Sequence, residues 1–149
     1  MCKIIEQVEN TEYRYNREED LKPQTHSPSF LSDAVCYNAC KMAQDVNANA
    51  LIGTTQSGYT AFMLSSYRPK SPMFIFTKEK SLVTQLSLSW GVRVFYSTEE
   101  NTLDDIIASQ IVYLKEKGLL ETGDVVVSTG STPVHLHLPT NVLKLTKVE

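Results

Sequence analysis

Four short apolar runs separated by helical patterns predict an α/β fold with a mainly parallel sheet. The runs are ALIGT (50–54), MFIFT (73–77), VRVFY (92–96) and GDVVVST (123–129), and the first two are apolar enough to be buried on both faces. Right-handed crossovers leave few ways to connect them. At 149 residues and 42% hydrophobic content, the chain fits one domain with a sizeable core.

The elements follow in order. Residues 2–9 read as a helix with Ile4, Ile5 and Val8 on one side, and residues 10–28 as a long, charged connection broken by Pro23 and Pro28. Ser29 is the expected N-cap of a helix over about 30–47, with an apolar face of Phe30, Leu31, Ala34, Val35, Ala39, Met42 and Val46. After the first strand, residues 58–67 read as a helix that YRPKSP (67–72) ends, because proline removes a donor and restricts the residue before it. The second strand precedes a helix over 79–89, with Leu82, Val83 and Leu86 inward and Gly91 as its stop. The third strand precedes a helix that Thr102 caps, with Asp104 and Asp105 in its first turn, where the helix dipole favours negative charge. Leu103, Ile106, Ile107, Ile111 and Leu114 carry its stripe, and Gly118 is a natural C-cap. After the fourth strand, the loop GSTPVHLHLPT leads into NVLKLTKV, a half-exposed strand. No helix separates these last two strands, so an antiparallel edge strand is expected.

Bulk properties exclude several functions. A net charge of −3 is wrong for non-specific nucleic-acid binding, which needs a basic surface. No apolar run approaches the roughly 18 residues of a membrane span, and the N-terminus MCKIIEQVEN is unlike a secretory signal. Three cysteines, Cys2, Cys36 and Cys40, lack the paired spacing of a disulfide framework and fit a reducing cytoplasm. Cys36 and Cys40 share a helical face as two small buried hydrophobes; no further ligands for a metal stand nearby.

Two segments are candidate sites. TTQSGYT (54–60) joins the first strand to a helix, so unpaired amides of the first helical turn meet the hydroxyls of Thr54, Thr55, Ser57 and Thr60 beside Gly58. Chemically this is a cup for phosphate or another anion; equally, it is an N-cap cluster serving only its own helix. It is neither a dinucleotide fingerprint nor a P-loop. The second segment, STGSTPVHLHLPTN (128–141), is long for its place, and such loops are often functional. His135 and His137 alternate along an extended segment and so point the same way, but no carboxylate or thiol partner is near in sequence. Ser128 and Ser131 lack the elbow motif of a serine nucleophile.

These residues resemble a known family. GTTQSGYTAFMLSSYRPKSPMFIFTKE is similar to the C-terminal domain of pyruvate kinases, matching at Thr55, Ser57, Gly58, Thr60, Ala61, Tyr67, Arg68, Pro69, Pro72 and Thr77. WGVRVFY, the GDVVVSTG…PTNVLKL ending and the N-terminal MCKIIEQVEN also resemble family segments, in the right order. The resemblance implies a three-layer α/β/α sandwich with strand order 3-2-1-4-5 and strand 5 antiparallel. It also implies a division of residues 1–149 into an exit helix and connection (1–28) from a catalytic barrel, and an α/β core (29–149).

In regulated members of the family, a phosphorylated allosteric effector sits beside the switch point, held by the first and last loops. The resemblance therefore implies effector-binding residues Thr55, Gln56, Ser57, Gly58, Tyr59, Thr60, Thr129, Gly130, Ser131 and Thr132. Carry-over is uneven. Gln56 and Tyr59 stand where fructose-bisphosphate-responsive enzymes often have lysine and arginine, Ile106 stands where they have an effector-binding arginine, and 130–139 contains no arginine. A sugar monophosphate or nucleotide is therefore the expected effector, with a vestigial cup as the alternative. The family's phosphoryl transfer from phosphoenolpyruvate to ADP, with its Mg and K, belongs to a barrel whose motifs are not in these residues. The resemblance thus implies a non-catalytic regulatory domain of a cytoplasmic glycolytic homo-oligomer, with no catalytic residue, metal or cofactor of its own. The alternative is a free-standing phosphometabolite-binding domain, and Met1 fits either.

Overall fold

The computed structural model describes residues 2–10, 15, 22–98, 102–136 and 138–149. Among them, the apolar runs form β1 (Ala50–Thr54), β2 (Met73–Thr77), β3 (Val92–Tyr96), β4 (Val125–Gly130) and β5 (Val142–Lys147). The helices are α1 (Cys2–Glu9), α2 (Phe30–Asp45), α3 (Tyr59–Tyr67), α4 (Lys80–Leu86) and α5 (Leu103–Glu116). The sheet order is β3-β2-β1-β4-β5. Leu51 pairs with Met73 and with Val127 in parallel register, whereas β4 and β5 run antiparallel with Val127 opposite Leu145. The expected α/β/α sandwich and its strand order are present.

Strand alternation sends side chains to two cores. Leu51, Ile75 and Val127 face Cys36, Ala39 and Leu64 of α2 and α3. Ile52, Phe74, Phe76 and Val126 face Ile107, Ile111 and Leu114 of α5. This division follows from handedness. The steps β1-α3-β2-α4-β3 travel one way along the sheet and place their helices on one face. The step β3-α5-β4 travels back and places its helix on the other. The reversal falls between β1 and β4.

The apolar face expected for α2 is displaced. Its buried residues are Ser32, Asp33, Cys36, Ala39, Cys40 and Ala43, while Leu31 is 75% exposed. Small side chains let α2 lie close against the sheet and α3, so the close-packed face is the low-volume one, not the one with most hydrocarbon. Cys36 and Cys40 are buried, as expected. Thr102 caps α5 by accepting from the Asp105 amide at 3.3 Å. On α1, Ile4, Ile5 and Val8 are all exposed.

Candidate functional site

The C-terminal ends of the parallel strands open onto a cavity of about 690 Å³. Open α/β sheets bind ligands at this position, outside the strand ends where the winding reverses. The wall begins with the corner after β1. Thr55 is buried and its Oγ1 accepts from the Gly58 amide at 3.0 Å, which folds the loop back upon itself. Gly58 adopts φ +84°, a left-handed conformation that glycine reaches without a Cβ penalty. The exposed Ser57 hydroxyl accepts from the Tyr59 amide at 3.4 Å. The remaining first-turn amides of α3, those of Thr60 and Ala61, have no acceptor within their own helix.

The last loop closes over this corner. Thr60 Oγ1 and Thr140 Oγ1 lie 2.6 Å apart, joining residues 80 positions apart in sequence. At the base of the loop, the Thr132 amide donates to Asn141 Oδ1 at 2.9 Å, and Asn141 Nδ2 donates to the Thr132 carbonyl at 2.8 Å. The two segments singled out in the sequence therefore meet around one space. Val134–Leu136 form a 3₁₀ turn, so His135 does not sit on an extended segment; His137 lies outside the described residues. No group of three or more His, Cys, Asp or Glu among the described residues is placed to hold a metal ion.

The ten residues expected to bind an effector divide into two sets. Thr55, Gln56, Ser57, Tyr59, Thr60 and Ser131 line the cavity. Gly58, Thr129, Gly130 and Thr132 do not, and serve the frame around it. Thr129 is buried and donates to the Ile52 carbonyl at 3.3 Å. A Cβ on Gly130 would stand 2.6 Å from Leu103 Cδ1, so glycine there admits the start of α5.

Lys78 and Ser97 line the cavity although neither was a candidate in the sequence. They follow β2 and β3, Thr77 ends β2, and all three reach the crevice because neighbouring parallel strands end side by side. Lys78 is the one cation among the described lining residues, and no carboxylate is among them. Phe76, Leu103, Ile106 and Leu138 give it an apolar side. Gln110, a polar residue inside the stripe of α5, also lines it.

Behind the corner sits a partly buried polar knot around the buried Asp33. The Tyr59 phenol donates to Asp33 Oδ1 at 2.5 Å, and the Ser29 hydroxyl donates to Asp33 Oδ2 at 2.8 Å. Desolvation first, and the hydrogen bond to Asp33 second, raise the Tyr59 pKa above its ordinary 10.0. Burial, reinforced by the charge of Asp33, pushes the Cys36 thiol up to about 12. A thiol so placed is inert.

Residues 33–146 match the family model described as pyruvate kinase, alpha/beta domain. The chain belongs to this family. It is 33% identical over 149 residues to pyruvate kinase of Clostridium acetobutylicum, covering 100% of this chain and 31% of that one. Pyruvate kinase of Geobacillus stearothermophilus is 30% identical over 119 residues, covering 80% of this chain and 20% of the relative. A crystal structure of a pyruvate kinase from Cryptosporidium parvum superposes with a TM-score of 0.72 at 24% identity, over 80% of this chain and 23% of that one. The chain thus spans a third or less of the curated pyruvate kinases it matches. What it shares with them is the C-terminal alpha/beta domain.

Proposed function

We propose that this domain binds a phosphorylated small-molecule effector in the cavity between the 55–60 corner and the 131–141 loop, and that it regulates a pyruvate kinase of which it forms the non-catalytic C-terminal part. The observation that supports this reading most directly is the cavity itself. Its rim combines helix-start amides and hydroxyls with one lysine and no carboxylate among the described lining residues. A single phosphoryl group suits one lysine and a cup of neutral donors better than a bisphosphate does. The effector is therefore a sugar monophosphate or a nucleotide.

On this reading residues 1–28 are the exit helix and connection from the catalytic barrel, and the exposed Ile4, Ile5 and Val8 face it. Phosphoryl transfer between phosphoenolpyruvate and ADP, with Mg and K, takes place in that barrel, in a cytoplasmic homo-oligomer. The free edge of β5 pairs sister subunits, as unpaired strand edges invite.

The test is a thermal-shift titration of the 149-residue chain with AMP and with sugar monophosphates. Ligand at a hundred times its Kd should add about 2.7 kcal/mol of stability. Ser57→Ala combined with Thr60→Ala should remove the shift. A wild type that no phosphorylated metabolite shifts would reduce the corner to a helix cap. Turnover of phosphoenolpyruvate and ADP by this chain, with Mg and K supplied, would overturn the non-catalytic assignment.

A further inference from the structure

Trp90 is the chain's single tryptophan and lies half-buried in the turn between α4 and β3. Two side chains from distant parts of the chain meet its ring. The Arg68 guanidinium stands over it, 5.6 Å from the ring centroid, and the half-buried Tyr15 ring lies 5.7 Å away at an interplanar angle of 58°. The Trp90 carbonyl accepts from the Ser65 hydroxyl at 2.8 Å, which ties the turn to α3. Arg68, the C-cap of α3, sits at φ 50° and ψ 56°, in the left-handed region that disfavours a residue with a Cβ. Glycine is the usual occupant of such a cap. Strain of this kind persists where the surrounding contacts over-determine it. Here the contact is a guanidinium on an indole face, which a glycine could not make.

We infer that Trp90, backed by Arg68, is a docking point on the α/β core for the chain that precedes it, with Tyr15 as the anchor, and that this joint opens on its own while the core stays folded. Among the described residues, both core clusters draw only on positions 36 and later, and Ile4, Ile5 and Val8 of α1 are exposed. The leading segment therefore adds nothing to the core that would make its release a global event. One aromatic pair is a small part of what holds a domain together, so its contact breaks far more often than the core unfolds. Arg68 strengthens the joint by presenting a positive charge and a held indole at one place. No ligand in the cavity is needed for the joint to form. If residues 1–28 arrive from a catalytic barrel as proposed, Tyr15 fixes that chain to the core at the C-terminal end of α3, the helix whose N-terminus belongs to the 55–60 corner.

Because Trp90 is the sole tryptophan, its selectively excited emission reads this joint directly in the 149-residue chain. Tyr15→Ala should move the emission to longer wavelength and raise acrylamide quenching, with far-ultraviolet circular dichroism and melting temperature close to wild type. Tyr15→Phe should match wild type, since the ring and not the hydroxyl makes the contact. Unchanged emission and quenching in Tyr15→Ala would overturn the docking; a variant that fails to fold would show that Tyr15 belongs to the core and would overturn the independent opening. Arg68→Gly should hold or raise the melting temperature, because glycine suits the left-handed cap, while quenching increases. Adding Tyr15→Ala to Arg68→Gly should then change quenching less than Tyr15→Ala does alone, and strict additivity would remove Arg68 from the joint. In wild type, urea should shift Trp90 emission before the circular dichroism of the core is lost, and Tyr15→Ala should lack that early phase. Coincident transitions in wild type would mean that the joint opens only when the core unfolds, against the inference.

Discussion

Thr60 and Thr140 meet hydroxyl to hydroxyl at 2.6 Å, and this contact fixes the 131–141 loop to the start of α3. Both residues are buried, so the bond spans the seam between the two segments that form the cavity. Thr140→Val keeps the shape and strands the Thr60 hydroxyl. It should cost about 1–3 kcal/mol, the penalty of an orphaned buried group. Hydrogen exchange in 131–141 should accelerate, while amides in β1 keep their protection. The double variant Thr60→Val, Thr140→Val should recover part of the loss, since removing both partners leaves nothing unpaired. Denaturant titration of all three variants checks the cycle.

Gly58 is held at φ +84°, and a Cβ there would lie 3.4 Å from the side chains of Leu82 and Leu86. Space is adequate but the backbone is not, so Gly58→Ala should cost about 1–2 kcal/mol through strain alone. Urea unfolding monitored by circular dichroism gives the number. A neutral result would mean that the corner relaxes out of the left-handed region.

Much of the architecture was legible because single residues with stereochemical duties mark its joints. Gly58, Gly91 and Gly118 all take positive φ where a helix starts or a turn ends, and Thr102 caps α5 as its position implies. β2 was readable as a doubly buried strand from five consecutive apolar or hydroxyl residues, and all five are buried. The face of α2 was legible only in part, at Cys36, Ala39 and Cys40. Periodicity weighs bulk, and there the packed residues are Cys36, Ala39, Cys40 and Ala43, with Asp33 held in the polar knot. At the site, the 55–60 corner stands out in sequence because its hydroxyls cluster locally. Lys78 and Ser97 do not, because only the parallel pairing of β1, β2 and β3 brings their strand ends together. Gln110 left a trace that could have been followed: a polar residue four positions after Ile106 in an otherwise apolar stripe.

Cys36 sets an alkaline limit on stability. Its pKa rises from 9.0 to about 12 on folding, chiefly by burial. The unfolded thiol ionises first as pH climbs, so the stabilisation is complete below about pH 9 and is lost as pH rises toward 12. Across the whole window the thiol alone accounts for up to about 4 kcal/mol. Cys36→Ala should therefore unfold less steeply with pH between 9 and 12, although it is slightly less stable at pH 7 for want of the sulfur. Urea midpoints at a series of pH values compare the slopes. Equal slopes would mean that the thiol is reached by solvent in the folded state.

Lys78 provides the last prediction. It follows β2 at the cavity rim and is the sole cation among the described lining residues. If the corner holds a phosphoryl group as proposed, the ammonium supplies its one charge-assisted contact from a side chain. Such bonds contribute about 1.5–3 kcal/mol, so Lys78→Gln should weaken binding of inorganic phosphate roughly 10- to 150-fold. Salt separates the charged contribution from the neutral ones. Binding by wild type should weaken between 50 and 500 mM potassium chloride, and binding by Lys78→Gln should respond less, since screening acts on the ammonium and hardly on neutral amides and hydroxyls. Equal salt sensitivity in the two proteins would place the ligand's charge away from Lys78.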